Sequence, residues 1–186
     1  LPPHKDPQPR YLSQPSTAAT LNLAATAAQS ARVWKTQDPA YAKRCLQAAE
    51  KAWKAANRHP DVYAYDNFVG SGPYDDTKLN DEFYWAAAEL FTTTGKQEYK
   101  QALQNSPLYL DAPKGDKNAT GDLYWQGVSS AGTITLALVP NQLGKQEVAK
   151  ARAAIIAAAD GYQQSVDKEG YLIPYQASEY PWGSNS

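Results

Sequence analysis

Ser16-Thr17-Ala18-Ala19-Thr20-Leu21-Asn22-Leu23-Ala24-Ala25-Thr26-Ala27-Ala28 is the stretch that decides the fold class. Leu21, Ala24, Ala25, Ala28 and Ala31 recur at intervals of three and four, which places them on one face of an α-helix. The Ser16 hydroxyl can accept from the free N–H groups of a first turn, so the helix is expected to start there and run to about Trp34. Asp38-Pro39 reads as the N-cap and first-turn proline of a second helix, ending near Asn57, with Tyr41, Cys45, Ala48, Ala49, Ala52 and Ala56 as its buried stripe.

The same period continues outward. A third helix is expected from about Asp81 to Gly95, a residue type that tolerates the left-handed conformation after a helix, and a short fourth from Gln97 to Asn105. A fifth covers roughly Ser129 to Val139. The sixth carries Val148, Ala151, Ile155, Ala158, Tyr162 and Val166 on one face and ends before Gly170. Alternating apolar runs of useful length are missing, so the class is all-α. Links of about three to six residues join helices one to two, three to four and five to six, and links of about twenty join the others. Short links make antiparallel hairpins, so the chain reads as about three hairpins with the long loops gathered on one rim.

That rim is the candidate site. Its loops carry Tyr63, Tyr65, Phe68 and Tyr74, then Tyr109, Tyr124 and Trp125, then Tyr171, Tyr175, Tyr180 and Trp182. Flat aromatic faces interleaved with Asp, Asn and Gln suit pyranose rings, whose C–H face stacks while the hydroxyls need donors and acceptors. Loop aromatics also pack loops onto helices, and Trp34, Trp53 and Trp85, which lie within the helices, are expected in the core.

Eighteen Lys and Arg against nineteen Asp and Glu give a net charge of −1, which leaves no electrostatic footprint for nucleic acid or a membrane surface. The 42% hydrophobic content is that of a globular chain, and no apolar run is long enough to cross a bilayer. The single Cys45 forms neither an intrachain disulfide nor a cysteine-based zinc cage. With no methionine and an end at Trp182-Gly183-Ser184-Asn185-Ser186, the chain reads as a piece of a longer protein.

Gly70-Ser71-Gly72-Pro73-Tyr74-Asp75-Asp76, followed by Asp81-Glu82-Phe83-Tyr84-Trp85-Ala86-Ala87-Ala88-Glu89, sets carbonyls and carboxylates where a hard cation can be held. Together with Pro15-Ser16-Thr17-Ala18-Ala19-Thr20 and Tyr180-Pro181-Trp182-Gly183-Ser184, this stretch resembles glycoside hydrolase family nine. That family comprises inverting cellulases built on an (α/α)6 barrel. His4-Lys5-Asp6-Pro7-Gln8-Pro9-Arg10-Tyr11 resembles the bacterial variant that carries an immunoglobulin-like domain before the barrel.

The resemblance implies a secreted β-1,4-glucanase or cellobiohydrolase, with residues 1–186 an incomplete barrel whose partners are cellulose or a β-glucan oligosaccharide and the rest of the same domain. It implies a structural calcium site at Ser71, Gly72, Asp81 and Glu82, to which the partly inserted stretch from Tyr74 to Asn80 adds Asp75 and Asp76 as further candidate ligands, and sugar contacts at His4, Tyr65, Phe68, Trp125 and Trp182. Without it, a lone histidine beside prolines near a terminus is more often a solvated bystander. Ser130 stands where the family has an aspartate, so one calcium ligand is expected to be missing.

The family's catalytic base lies in an Asp-Ala-Gly-Asp segment and its acid in a distant glutamate. Neither segment occurs here, since Asp111-Ala112-Pro113 is not that motif. The chain by itself is therefore expected to bind glucan without hydrolysing it. Another α/α-barrel carbohydrate enzyme, such as an isomerase or lyase, would need a catalytic histidine or carboxylate pair within this chain. A non-catalytic hairpin scaffold would show fixed-period repeats, which these unequal hairpins lack.

Overall fold

The computed structural model describes residues 2–9, 12–64, 75–112, 123–124, 126–168 and 170–174. Among them, a 3-10 turn at Pro3–Lys5 precedes six helices: α1 (Thr17–Val33), α2 (Pro39–Arg58), α3 (Asn80–Thr94), α4 (Gln97–Gln104), α5 (Ser129–Leu138) and α6 (Lys145–Lys168). The only β-pairing among the described residues is two isolated bridges, Ala64 with Asp76 and Tyr124 with Gly127.

Local chemistry sets the helix ends. Ser16 Oγ accepts from the Ala19 N–H at 3.2 Å and Asp38 Oδ1 from the Tyr41 N–H at 2.8 Å, which closes the first turns of α1 and α2. Gly95 ends α3 at φ +68°, a backbone conformation that favours glycine, and the Gln142 side chain lies against it, so that a Cβ there would displace the Gln142 amide.

Three antiparallel hairpins result, α1 with α2, α3 with α4 and α5 with α6. α1, α3 and α5 pack side by side as an inner layer and the other three back them from outside, as in part of an (α/α)6 barrel. α3 and α5 run in the same direction, because Asp81 meets Val128, Tyr84 meets Thr133 and Glu89 meets Thr135 in order along both. The approach of Gln142 to Gly95 brings two of the short links to one end. At the opposite end, Thr17 accepts from the Val62 N–H and donates to the His59 carbonyl, and Gln126 Nε2 reaches the Asp75 carbonyl at 2.7 Å. The long loops therefore share one rim, as their spacing predicts.

The core is alanine-rich on α1, α2 and α3, which lets the backbones approach closely, and aromatics fill the wider gaps. Trp53 is wedged edge-on between Phe83 at 5.8 Å and Tyr99 at 5.7 Å, joining α2, α3 and α4. Three expectations need correction. Tyr41 and Ala48 are exposed, and the buried face of α2 runs instead through Ala42, Cys45, Ala49, Ala52, Trp53 and Ala56. Trp34 is 45% exposed at the end of α1, edge-on to Tyr41, whereas Trp85, partly buried, packs against the core as expected. On α6 only Ala151 and Ala158 of the expected stripe are buried, because its one packed neighbour among the described helices is α5.

Candidate cation site at the long-loop rim

The start of α3 brings the acids of the sequence motif to the rim. Asp76 closes the first long loop through its bridge to Ala64, and its Oδ1 accepts from the Lys78 N–H at 2.9 Å. Asp81 and Glu82 lie in the first turn of α3, where the free N–H groups and the helix dipole favour negative charge. Asp81 Oδ2 crosses to α5 and accepts from the Val128 N–H at 2.9 Å, so one carboxylate ties the two helix starts together.

All three acids are buried, yet their oxygens are not all satisfied. Glu82 is 1% exposed and both of its carboxyl oxygens lack a hydrogen-bond partner, as do Asp76 Oδ2 and Ser130 Oγ. Burial, then the charge of Asp81 and the hydrogen bond and charge of Asp76 beside it, push the Glu82 carboxyl up to about 9, so without a counter-ion it keeps its proton at neutral pH and faces Asp76 with it. Burial also raises Asp81, and the Val128 N–H offsets part of that effect.

Buried carboxyl oxygens without donors, here on Asp76 and Glu82 with Asp81 beside them, have the chemistry that a hard cation would neutralise. Among the described residues no three His, Cys, Asp or Glu side chains, these acids included, are grouped so that they could hold a metal ion by themselves. Ser71 and Gly72, the other expected ligands, lie outside the described residues. Tyr65, Phe68, Trp125 and Trp182 lie outside them as well. His4 is exposed in the Pro3–Lys5 turn.

The root of the second long loop is fixed beside this cluster. Tyr84 Oη accepts from the Leu110 N–H at 3.1 Å and pairs with Thr133 Oγ1 at 2.9 Å, while Thr133 donates to the Asp111 carbonyl. These bonds hold Leu110, 2% exposed, at φ +59°, a left-handed conformation costly for leucine. Sequence reasoning also passed over Glu89, which is fully buried. It is paired with Arg32, bonded to Thr135 Oγ1 at 2.6 Å and reached by Trp85 Nε1 at 3.3 Å. The signal was present in the run Ala86-Ala87-Ala88-Glu89, a carboxylate two turns after Glu82 on an otherwise apolar helix.

The family model for glycosyl hydrolase family 9 matches residues 1–186. A cellulose 1,4-beta-cellobiosidase of Acetivibrio thermocellus is 50% identical over 203 aligned residues, which take in 99% of this chain and 23% of that protein. A metagenome-derived glycoside hydrolase family 9 endoglucanase of known structure superposes with a TM-score of 0.84 at 29% identity, over 98% of this chain and 33% of that one. AaCel9A, solved in complex with cellobiose-like isofagomine, gives 0.80 at 25% identity over 97% of this chain and 33% of its own. The chain thus spans 23% to 33% of the length of these relatives, and it belongs to glycosyl hydrolase family 9.

Proposed function

We propose that the protein carrying this chain is a cellulase-type glycoside hydrolase that cleaves β-1,4-glucosidic bonds in cellulose or related glucans with inversion. The carrying observation is the match of the family along the whole chain, together with the cellobiosidase that shares half of its residues. Residues 1–186 are read as part of the catalytic domain, which the remainder of that domain completes. The polymeric substrate cannot enter a cell, which favours a secreted enzyme. Among the described residues, no helix is long and apolar enough to cross a membrane.

Within that reading the chain's residues bind and position rather than react. Tyr65, Phe68, Trp125 and Trp182 offer stacking faces and His4 a hydroxyl partner, while the two carboxylates that activate water and protonate the leaving oxygen come from elsewhere. Asp76, Asp81 and Glu82, with Ser71 and Gly72, would hold calcium. The ion would supply positive charge that keeps the acids ionised and pins the loop before α3 against α5.

The test is to incubate the intact protein with cello-oligosaccharides and follow the first product by NMR. A β-linked substrate releasing the α-anomer is the expected outcome. Release of the β-anomer, or no cleavage of any β-1,4-glucan, would reject the proposal.

A further inference from the structure

We infer that Tyr84 is a positioning residue for glucan binding, which acts with Thr133 to set the root of the second long loop in its binding geometry before substrate arrives; this rests on the cellulase reading above. The two hydroxyls form a directed relay. Thr133 has one proton and gives it to the Asp111 carbonyl, so the Tyr84 proton goes to Thr133 Oγ1 at 2.9 Å, and Tyr84 Oη accepts from the Leu110 N–H at 3.1 Å. The relay thus runs from the N–H of one loop residue, through side chains of α3 and α5, to the carbonyl of the next, and bonds in such a chain strengthen one another. Tyr84 and Thr133 are both fully buried, so water does not compete for these bonds.

The loop root is held more firmly than a connection needs. Three successive residues are tied to three helices: Tyr109 Oη donates to Glu147 of α6, the Leu110 N–H donates to Tyr84 of α3, and the Asp111 carbonyl accepts from Thr133 of α5. Between them the buried Leu110 takes φ +59°, where its Cβ is crowded. Gly95 reaches the same region at φ +68° with no side chain to crowd, so the fold has an unstrained way of making such a turn and does not use it here. Strain kept in place by dedicated bonds belongs to sites whose geometry is used. What the root leads to fits that use. The loop returns to α5 through a closed turn, in which Tyr124 and Gly127 exchange both backbone bonds at 3.0 and 3.1 Å, and Gln126 Nε2 ties it to the Asp75 carbonyl of the first loop. That turn contains Trp125, a stacking face in the cellulase reading. With both ends of the loop fixed, conformational freedom that a glucan would otherwise have to remove is already gone.

Steady-state kinetics of the intact protein on cello-oligosaccharides, well below its melting temperature, test this with Tyr84→Phe, Thr133→Val and Thr133→Ser. Tyr84→Phe keeps the buried ring and removes only the hydroxyl, so the Leu110 N–H loses its partner and the loop root is free to relax out of the left-handed region. Its KM should rise roughly tenfold with kcat unchanged, the signature of lost binding rather than lost chemistry. Thr133→Val should raise KM by a similar factor, and the double variant Tyr84→Phe/Thr133→Val by no more than the larger single effect, because both cut one relay. Thr133→Ser keeps the hydroxyl and should retain the wild-type KM; set against Thr133→Val, it decides the matter should the tyrosine variant not fold. A merely structural bond would lower the melting temperature of Tyr84→Phe and leave KM where it was. That result, or a fall in kcat at constant KM, would overturn the inference while leaving the cellulase reading standing. A wild type that cleaves no β-1,4-glucan would remove the reading and the inference together.

Discussion

Glu82 and Glu89 sit two turns apart on α3, both closed off from solvent, and the protein treats them in opposite ways. Glu89 is saturated: Arg32 pairs with one oxygen, Thr135 and Trp85 approach the other, and Arg32 also donates to the Glu89 carbonyl at 3.0 Å and to Thr93. This carboxylate joins α1, α3 and α5 into one wall. Glu82, at the rim, meets no donor from the rest of the protein and faces only other acids, Asp76 and Asp81. Equal burial of the same residue type thus carries two meanings, and what separates them is whether the protein supplies the partners. A buried acid with a full set is structural. One that faces only other acids is where the proposed cation would act.

The largest effect expected from this contrast is at the saturated acid. Arg32→Ala strands the Glu89 carboxylate in the core and should lower unfolding stability by about 3–5 kcal/mol, equally with calcium and with chelator. Denaturant unfolding of the intact protein measures it, and a variant as stable as wild type would mean that Glu89 does not depend on this pair. At the rim the sign should depend on the ion. Glu82→Gln in chelator should melt at or above wild type, since it removes a buried acid that faces only other acids, but in calcium it should fail to gain the stability that wild type gains. A calcium-dependent rise of equal size in both proteins would refute the distinction.

The smallest effect lies on the outer layer, where a third glutamate has partners on both oxygens but is only partly buried. Glu147 accepts from Tyr109 Oη at 2.5 Å and from the Gly144 N–H at 2.8 Å, with Lys100 at 3.9 Å, and these hold its carboxyl below the ordinary value. A folded value below the unfolded one, near 4.3, means that its contribution is complete above that pH and is lost as pH falls through the lower folded value. Stability measured from neutral to acid pH should therefore fall less steeply below about 4.3 for Glu147→Gln than for wild type.

Much of the fold is legible in the sequence because its signals are local. Ser16, Asp38-Pro39 and Gly95 mark helix ends through chemistry confined to a turn, and the alternation of short and long links dictates a common rim. The buried face of α2 was misread because alanines occur on several sides of that helix. Only packing of Trp53 against Phe83 and Tyr99 decides which side turns inward. The stripe on α6 marks a face correctly spaced for burial, but spacing does not say how much of it a single neighbour covers. Asp81 and Glu82 stand out at a helix start, yet the difference between Glu82 and Glu89 depends on residues far away in the chain, Arg32 and Thr135, and no local pattern encodes it.

The most direct measurement is a crystal structure of the intact protein grown with calcium, with anomalous differences collected to locate the ion. Anomalous density bounded by the carboxylates of Asp76, Asp81 and Glu82, with the Glu89 carboxylate still bound to Arg32 and Thr135 and far from any ion, is the expected result. A Glu82 carboxyl satisfied by protein groups or water, with no ion beside it in the presence of saturating calcium, would contradict it.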